Sequence, residues 1–330
     1  MLRFIARRAI IMVFTVIAIS IVSFFLIELP PGDYLSNYIA QMGILEGEDI
    51  SEAEIEYIKR RWGLDQPVHV RYLRWAGRVA RGDFGRSMIM GGMRIAEIIA
   101  MRIPGSLLVS ISSLILVYVI AIPVGTFVAT HQYTLGDYVA SVIGFVGLAT
   151  PNFLLALILL WINFEMTGNA AIGLFSREFA GAPWSFAKFL DLLKHMWIPA
   201  LVVGTAGTAG LIRTMRANLL DELEKPYVRV ARSKGISPRR LLYKYPFRIA
   251  LNPVISVIGW TLPALVSGEL LVSIVLNLPT LGPVMLSALL AQDMYLASSI
   301  ILILSTLTVI GTLVSDILLA WIDPRIREAV

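Results

Sequence analysis

The sequence predicts an all-α membrane protein with six transmembrane helices and a large extramembrane segment between the first and second. Three observations carry this. Of 330 residues 57% are hydrophobic and the mean hydropathy is +0.76, whereas soluble domains run nearer about 45–50% apolar. Six runs approach or exceed the roughly 20 apolar residues that a spanning helix needs. The cations gather in segments beside those runs rather than spreading evenly, as the positive-inside rule expects of an integral membrane protein.

The first run is about 9–29, preceded by Arg3, Arg7 and Arg8. It is too long for a signal-peptide core, and no small-residue cleavage site follows, so it reads as a retained span. A polar stretch, about 30–103, comes next. Within it Ser51 and Glu54 form an S-x-x-E capping box opening an amphipathic helix toward Trp62. Trp62, Tyr72, Trp75 and Phe84 stand among its charges, either to cap a channel mouth or as the core of a self-packed subdomain. The second run is about 104–130 and the third about 138–165, joined by a short link, 131–137. The fourth is about 196–211, the fifth about 250–276 and the sixth about 298–321. This divides the chain into an N-terminal span (1–29), an extracytoplasmic segment (30–103) and a core of five further spans (104–330).

The net charge of +5 (28 − 23) does not signal nucleic acid, because the cations sit beside apolar spans. With the N-terminus inside, the inner segments are the arginine-bearing start, the 131–137 link, a loop at about 213–248 and a tail with Arg325 and Arg327. Both termini are then cytoplasmic in a multi-pass cell-membrane protein. The long 30–103 segment falls outside, since long loops translocate largely regardless of charge. There is no cysteine, hence no disulfide and no thiolate metal site. His69, His131 and His195 lie in different segments, no H-E-x-x-H pairs them, and no G-x-S-x-G elbow occurs, so neither a metal site nor an intramembrane hydrolase is supported. No G-x-x-x-x-G-K-[ST] occurs either, so any ATP chemistry must come from another chain.

The 213–248 loop is the most informative segment. It carries ten cations, Arg213, Arg216, Lys225, Arg229, Arg232, Lys234, Arg239, Arg240, Lys244 and Arg248, against Asp221, Glu222 and Glu224. Pro226 suits a first helical turn, where a missing N–H costs little. Tyr227 to Lys234 contains no breaker, and Gly235 suits the left-handed position after a helix. Ser237 and Pro238 read as the N-cap and first residue of a second helix running to about Phe247, with Pro246 ending or kinking it. The expected unit is two short helices with a glycine elbow, a knob shaped for a groove in a cytosolic partner. On charge alone it is also a plain positive-inside loop.

These residues resemble the EAA-type loop of ABC-importer permeases, and more closely the dipeptide/oligopeptide branch with its Tyr-Val-Arg-x-Ala-Arg-x-Lys-Gly pattern. Arg229, Val230 and Ala231 take the E-A-A positions and Gly235 the glycine. The departures at Arg229 and Val230 are ones the branch shares. The likeness continues through Arg248, Ala250, Leu251 and Pro253. It extends to Leu29-Pro30-Pro31-Gly32-Asp33, Gly63-Leu64-Asp65-Gln66-Pro67, Tyr72-Leu73-Arg74-Trp75 and Gly82-Asp83-Phe84-Gly85-Arg86-Ser87. It also takes in Pro279-Thr280-Leu281-Gly282, where Thr280 replaces a glycine, and Asp323-Pro324-Arg325. The resemblance therefore covers essentially the whole chain. It implies a type I importer permease fold forming half of a translocation channel, working by alternating access. The implied partners are a second homologous permease, two cytosolic ATPases supplying the ATP and Mg sites, and an extracytoplasmic solute-binding protein, all in membrane lipid, with no cofactor in this chain. The coupling residues it implies are Tyr227, Val228, Arg229, Ala231, Arg232, Lys234, Gly235, Ser237 and Pro238. Peptides are the implied cargo, with oligosaccharides or nickel as other solutes this family moves. A stand-alone secondary transporter or channel is the rival from another class. It calls for more intramembrane charge and an internal repeat, and neither is evident.

Ionisable groups within spans cost about 3 kcal/mol or more and usually face a bundle interior or water. Glu269 in the fifth run is the candidate translocation-path group, with a hydrogen-bonded packing role as the plainer alternative. Asp316 in the sixth run suits a structural partner such as an arginine of the basic loop. Pro104, Pro123, Pro151, Pro199, Pro253 and Pro263 fall in or at the ends of runs, as kinks that shape a pore or as ordinary bends. Gly204 to Gly210 is rich in small residues and permits close helix approach.

Overall fold

The computed structural model describes residues 2–29, 34, 35, 39 and 51–322. The 30–33 and 323–330 stretches, and with them part of the orientation argument, lie outside the described residues. All named elements are helical: α1 (Leu2–Ile27), α2 (Glu52–Trp62), α3 (Val68–Val79), α4 (Ile95–Thr130), α5 (Leu135–Ala149), α6 (Asn152–Thr167) and α7 (Phe186–Leu223). There follow α8 (Pro226–Ser233), α9 (Pro238–Lys244), α10 (Pro246–Ser256), α11 (Ile258–Val275), α12 (Leu281–Leu290) and α13 (Met294–Ile322).

Among the described residues four stretches are long and apolar enough to cross a membrane: Ala6–Ile27, Ile95–Thr130, Phe186–Leu223 and Met294–Ile317. Helices α5 and α6 pass that test together but meet at 110°. The third run is therefore not one straight span. Thr150 precedes Pro151, whose ring drives it out of the helical region to φ −83°, ψ 124°. The fifth run is likewise divided, between α10 and α11 at Val257. Helix α7 has 38 residues, far more than the 196–211 run. At 1.5 Å per residue it reaches about 57 Å, longer than the roughly 30 Å hydrocarbon core. Residues 213–223, expected as loop, are thus its last three turns, because nothing from Ile212 to Leu223 breaks a helix.

The chain forms two compact units, 8–104 with 280–309, and 1–7 with 105–279 and 310–330. In the first, Ser51 caps α2 by accepting the Glu54 amide at 3.3 Å. Phe24, Trp75, Ile95, Leu281, Leu296 and Ile300 form its core. Several polar groups here are matched, although Arg71 Nε, Thr280 Oγ1 and Ser298 Oγ are buried with no hydrogen-bond partner among the described residues. Trp75 Nε1 donates to Ser299 Oγ at 3.3 Å, and Arg71 pairs with Glu28 at 2.6 Å. The Asp293 carboxylate, fully buried, takes the Ser87 hydroxyl at 2.8 Å and the Met88 amide at 2.6 Å, and caps α13 through the Leu296 amide at 3.1 Å. Burial pushes the Asp293 carboxyl up, and these donors oppose that shift.

In the second unit α7 is the central element. Two apolar clusters run along it, one with Leu192, Ile198, Val202, Leu265 and Val272, the other with Val117, Leu211, Met215, Ala250 and Val254. Glycines set the helix spacing. A Cβ on Gly125 would lie 2.7 Å from Met215 Cβ, and one on Gly147 would lie 2.5 Å from Thr205 Cγ2. Gly204 is similarly close to Val117, at 3.0 Å. Within the small-residue stretch Gly204 permits close helix approach, Gly207 lies at ordinary contact with Val117, and Gly210 is open.

Candidate functional site

The segment leaving α7 folds as the sequence patterning implies. Pro226 opens α8, Lys234 ends it, and Gly235 turns the chain at φ +75°, a region that costs an L-residue about 1–2 kcal/mol. Ser237 holds the N-cap position of α9 and Pro238 its first turn. Its hydroxyl makes no capping bond; the Ser237 carbonyl accepts the Leu241 amide at 2.9 Å. The second helix stops at Lys244 rather than near Phe247. Tyr245 precedes Pro246 and sits at φ −117°, ψ −82°, outside helical geometry, and Pro246 starts a new helix instead of merely kinking the old one.

The two short helices close on each other through a small core of Val228, Ala231 and Leu241, with Ile236 and Tyr245 packed against it. Val228 and Ala231, three apart, occupy one face of α8. The other residues predicted for this site separate from them: Arg229, Arg232, Lys234, Ser237 and Pro238 are exposed, as are Val230, Arg239, Arg240 and Tyr243. The result is a knob with an apolar inner seam and a cationic outer surface. Tyr227 ties it to α7 by donating to Glu222 Oε2 at 2.6 Å. Burial pushes the Tyr227 phenol up, and the Glu222 carboxylate adds to the rise. A cleft of about 890 Å³ opens beside the knob, lined by Phe127, Leu220, Leu242 and Phe247 with Arg232 and Arg239 among its polar residues.

The end of α7 is fixed to the 131–137 link as well. Arg216 meets Asp137 at 2.9 Å, and the same carboxylate accepts the Tyr133 amide at 3.1 Å, holding Tyr133 at φ +60°. An arginine of the basic stretch therefore finds a carboxylate; the link's Asp137 gave no sequence signal beyond its place near the span end. Asp316 is half-buried in α13.

Glu269 is buried in α11, 2% exposed. Ser106 Oγ donates to its Oε1 at 2.7 Å and Ser110 Oγ to its Oε2 at 3.2 Å. The sequence singled out the acid but not the serines. Their i, i+4 spacing puts both on one face of α4, and that spacing was the available signal. Among the described residues no cluster of His, Asp and Glu is arranged to hold a metal ion.

Residues 121–328 match the family described as binding-protein-dependent transport system inner membrane component, and residues 1–92 match its N-terminal family. The chain belongs to this family. It is a transport component of the inner membrane, with several apolar helices to match. It is 34% identical over 330 residues to the oligopeptide transport system permease protein AppB of Bacillus subtilis (strain 168), covering 99% of this chain and 100% of the relative. It is 28% identical over 344 residues to the dipeptide transport system permease protein DppB of Escherichia coli (strain K12), covering 99% of each. A di/tripeptide transport system permease protein, DppB of Pseudomonas aeruginosa (strain UCBPP-PA14), is 29% identical over 341 residues, again covering 99% of each. The family permease thus carries an exposed cationic knob directly after its longest helix.

Proposed function

We propose that this chain is one permease subunit of an ATP-driven, binding-protein-dependent peptide importer, forming half of the translocation channel. Peptide is the cargo because the relatives that align end to end are named for oligopeptides and dipeptides. The chain spans the membrane six times with both termini cytoplasmic, the bent α5–α6 pair and the divided α10–α11 pair each counting as one passage. Residues 30–103 are extracytoplasmic and 104–330 form the permease core. A second homologous permease completes the channel, two cytosolic ATPases hold ATP and Mg, and an extracytoplasmic binding protein delivers the peptide.

The observation that carries this reading is the α8–α9 knob. Its inner seam is satisfied by its own residues, yet its outer face leaves Arg229, Arg232, Lys234, Arg239 and Arg240 in solvent without an ion-pair partner among the described residues. In this reading Tyr227 to Gly235 and Ser237-Pro238 dock in an ATPase groove. Closure of the ATPases on ATP pulls the knob. The pull passes to α7 through the Tyr227–Glu222 bond and into the membrane by way of that single long helix. Glu269 is a latch between α4 and α11, which meets solute when that movement parts it from Ser106 and Ser110.

The test is co-purification with Gly235→Pro. The variant should lose the ATPase subunits and import together, while the chain still inserts. Full ATPase retention with normal import overturns the docking role. ATP-independent solute flux through the isolated chain would favour the stand-alone transporter instead.

A further inference from the structure

A second cationic surface lies far from the knob in sequence, within the unit built from 8–104 and 280–309. Arg61, Arg78, Arg81, Arg86 and Arg94 line one pocket of about 600 Å³, and the carboxylate among its lining residues is Asp83. Asp83 already spends Oδ1 on the Gly85 amide at 2.9 Å. None of the five arginines has an ion-pair partner among the described residues.

Two features make this more than a charged face. First, Arg86 and Arg94 face each other across an isolated antiparallel bridge. The Ser87 amide reaches Met93 O at 2.9 Å and the Ile95 amide reaches Gly85 O at 3.0 Å. That makes Arg86 and Arg94 a non-hydrogen-bonded pair, with Cα atoms about 4.5 Å apart. Like charges directly opposite are destabilising; Arg86 Nη1 donates to the Gly92 carbonyl at 2.8 Å, but no carboxylate among the described residues pairs with either arginine. Second, two guanidiniums are held by aromatic rings rather than carboxylates. The Arg61 guanidinium lies over the Trp62 ring, 5.6 Å from its centroid, with Nη1 donating to the Tyr57 hydroxyl at 3.4 Å, and the Arg78 guanidinium lies over the Tyr295 ring, also 5.6 Å from its centroid. Stacking fixes a guanidinium while leaving its N–H edge free for an incoming acid.

All five arginines are exposed, and that decides the kind of ligand. A single small anion gains little from an exposed guanidinium, because water competes. A rigid surface carrying several carboxylates engages many at once and is steered to them. We propose that this bowl is the docking surface for an acidic face of the extracytoplasmic binding protein. The proposal rests on the importer reading and on the outward placement of residues 30–103.

The experiment compares the complete importer in lipid nanodiscs with R81E/R86E and R81Q/R86Q versions, each checked for an unchanged melting transition. Binding-protein affinity at low salt should fall at least about tenfold for R81E/R86E, and by less for R81Q/R86Q. The wild-type salt dependence should flatten in both. Wild-type affinity in R81E/R86E overturns the proposal. So does displacement of the binding protein by inorganic phosphate at concentrations too low to act through ionic strength, which would make the bowl a small-anion site. If the wild type binds no such protein, the importer reading fails by itself. A fluorescent hexaglutamate peptide then still tests the bowl: wild type should bind it and R81E/R86E should not, and equal binding by both overturns the bowl.

Discussion

At Glu269 the chemistry turns on two hydroxyls. Glu269→Gln keeps an acceptor for one serine, whereas Glu269→Leu leaves both without it. Their hydroxyls can fall back on the carbonyls one turn earlier, as Ser113 does with Val109 at 2.8 Å. The loss for Glu269→Leu should therefore be about 2 kcal/mol, read as a lower melting temperature in detergent, with Glu269→Gln nearer wild type. Asp137→Ala should cost a similar amount, about 2 kcal/mol, because Arg216 is two-thirds buried and loses its carboxylate. Full stability in that variant would show the pair to be idle. At Tyr227 the phenol is raised above its usual value, so its proton is present throughout the neutral range and is lost only under strong alkali. Its bond to Glu222 should thus be constant from about pH 6 to 9. Ultraviolet titration of the phenolate, compared with Tyr227→Phe, checks this.

The elements show how far sequence reasoning reaches and where it stops. The α8–α9 knob was readable because proline, glycine and serine punctuate it locally, and local backbone rules decide such short helices. The Ser51 cap was readable for the same reason. Helix α7 was not, because a hydropathy window ends where charges begin, while a helix ends only where the backbone breaks. Ile212 to Leu223 is polar enough to leave the window and regular enough to stay helical. The bend between α5 and α6 was half readable: Pro151 announced a kink, but its 110° size depends on packing that a single sequence does not display. Helix spacing is the element property most open to test. Gly147→Leu would push its side chain into Thr205, and overpacking of this kind typically costs about 1–3 kcal/mol. A drop in melting temperature, accompanied by restored stability on Thr205→Ala, is the expected result.

Across the whole molecule, family membership and the knob support one account. On the proposed reading, a chain with no phosphate-binding motif would take mechanical input on an exposed cationic knob and pass it along one helix. On that reading Glu269 is a latch, and the arginine bowl serves delivery of cargo. The most direct measurement is uptake of a labelled tripeptide into proteoliposomes holding the full importer, with the chain wild type or R229E/R232E. Those two arginines are exposed, so the variant should fold and insert normally. The account predicts ATP-dependent uptake for wild type, and loss of both uptake and bound ATPase for R229E/R232E. Undiminished uptake and ATPase binding in R229E/R232E, or wild-type uptake that needs no ATP, would contradict it.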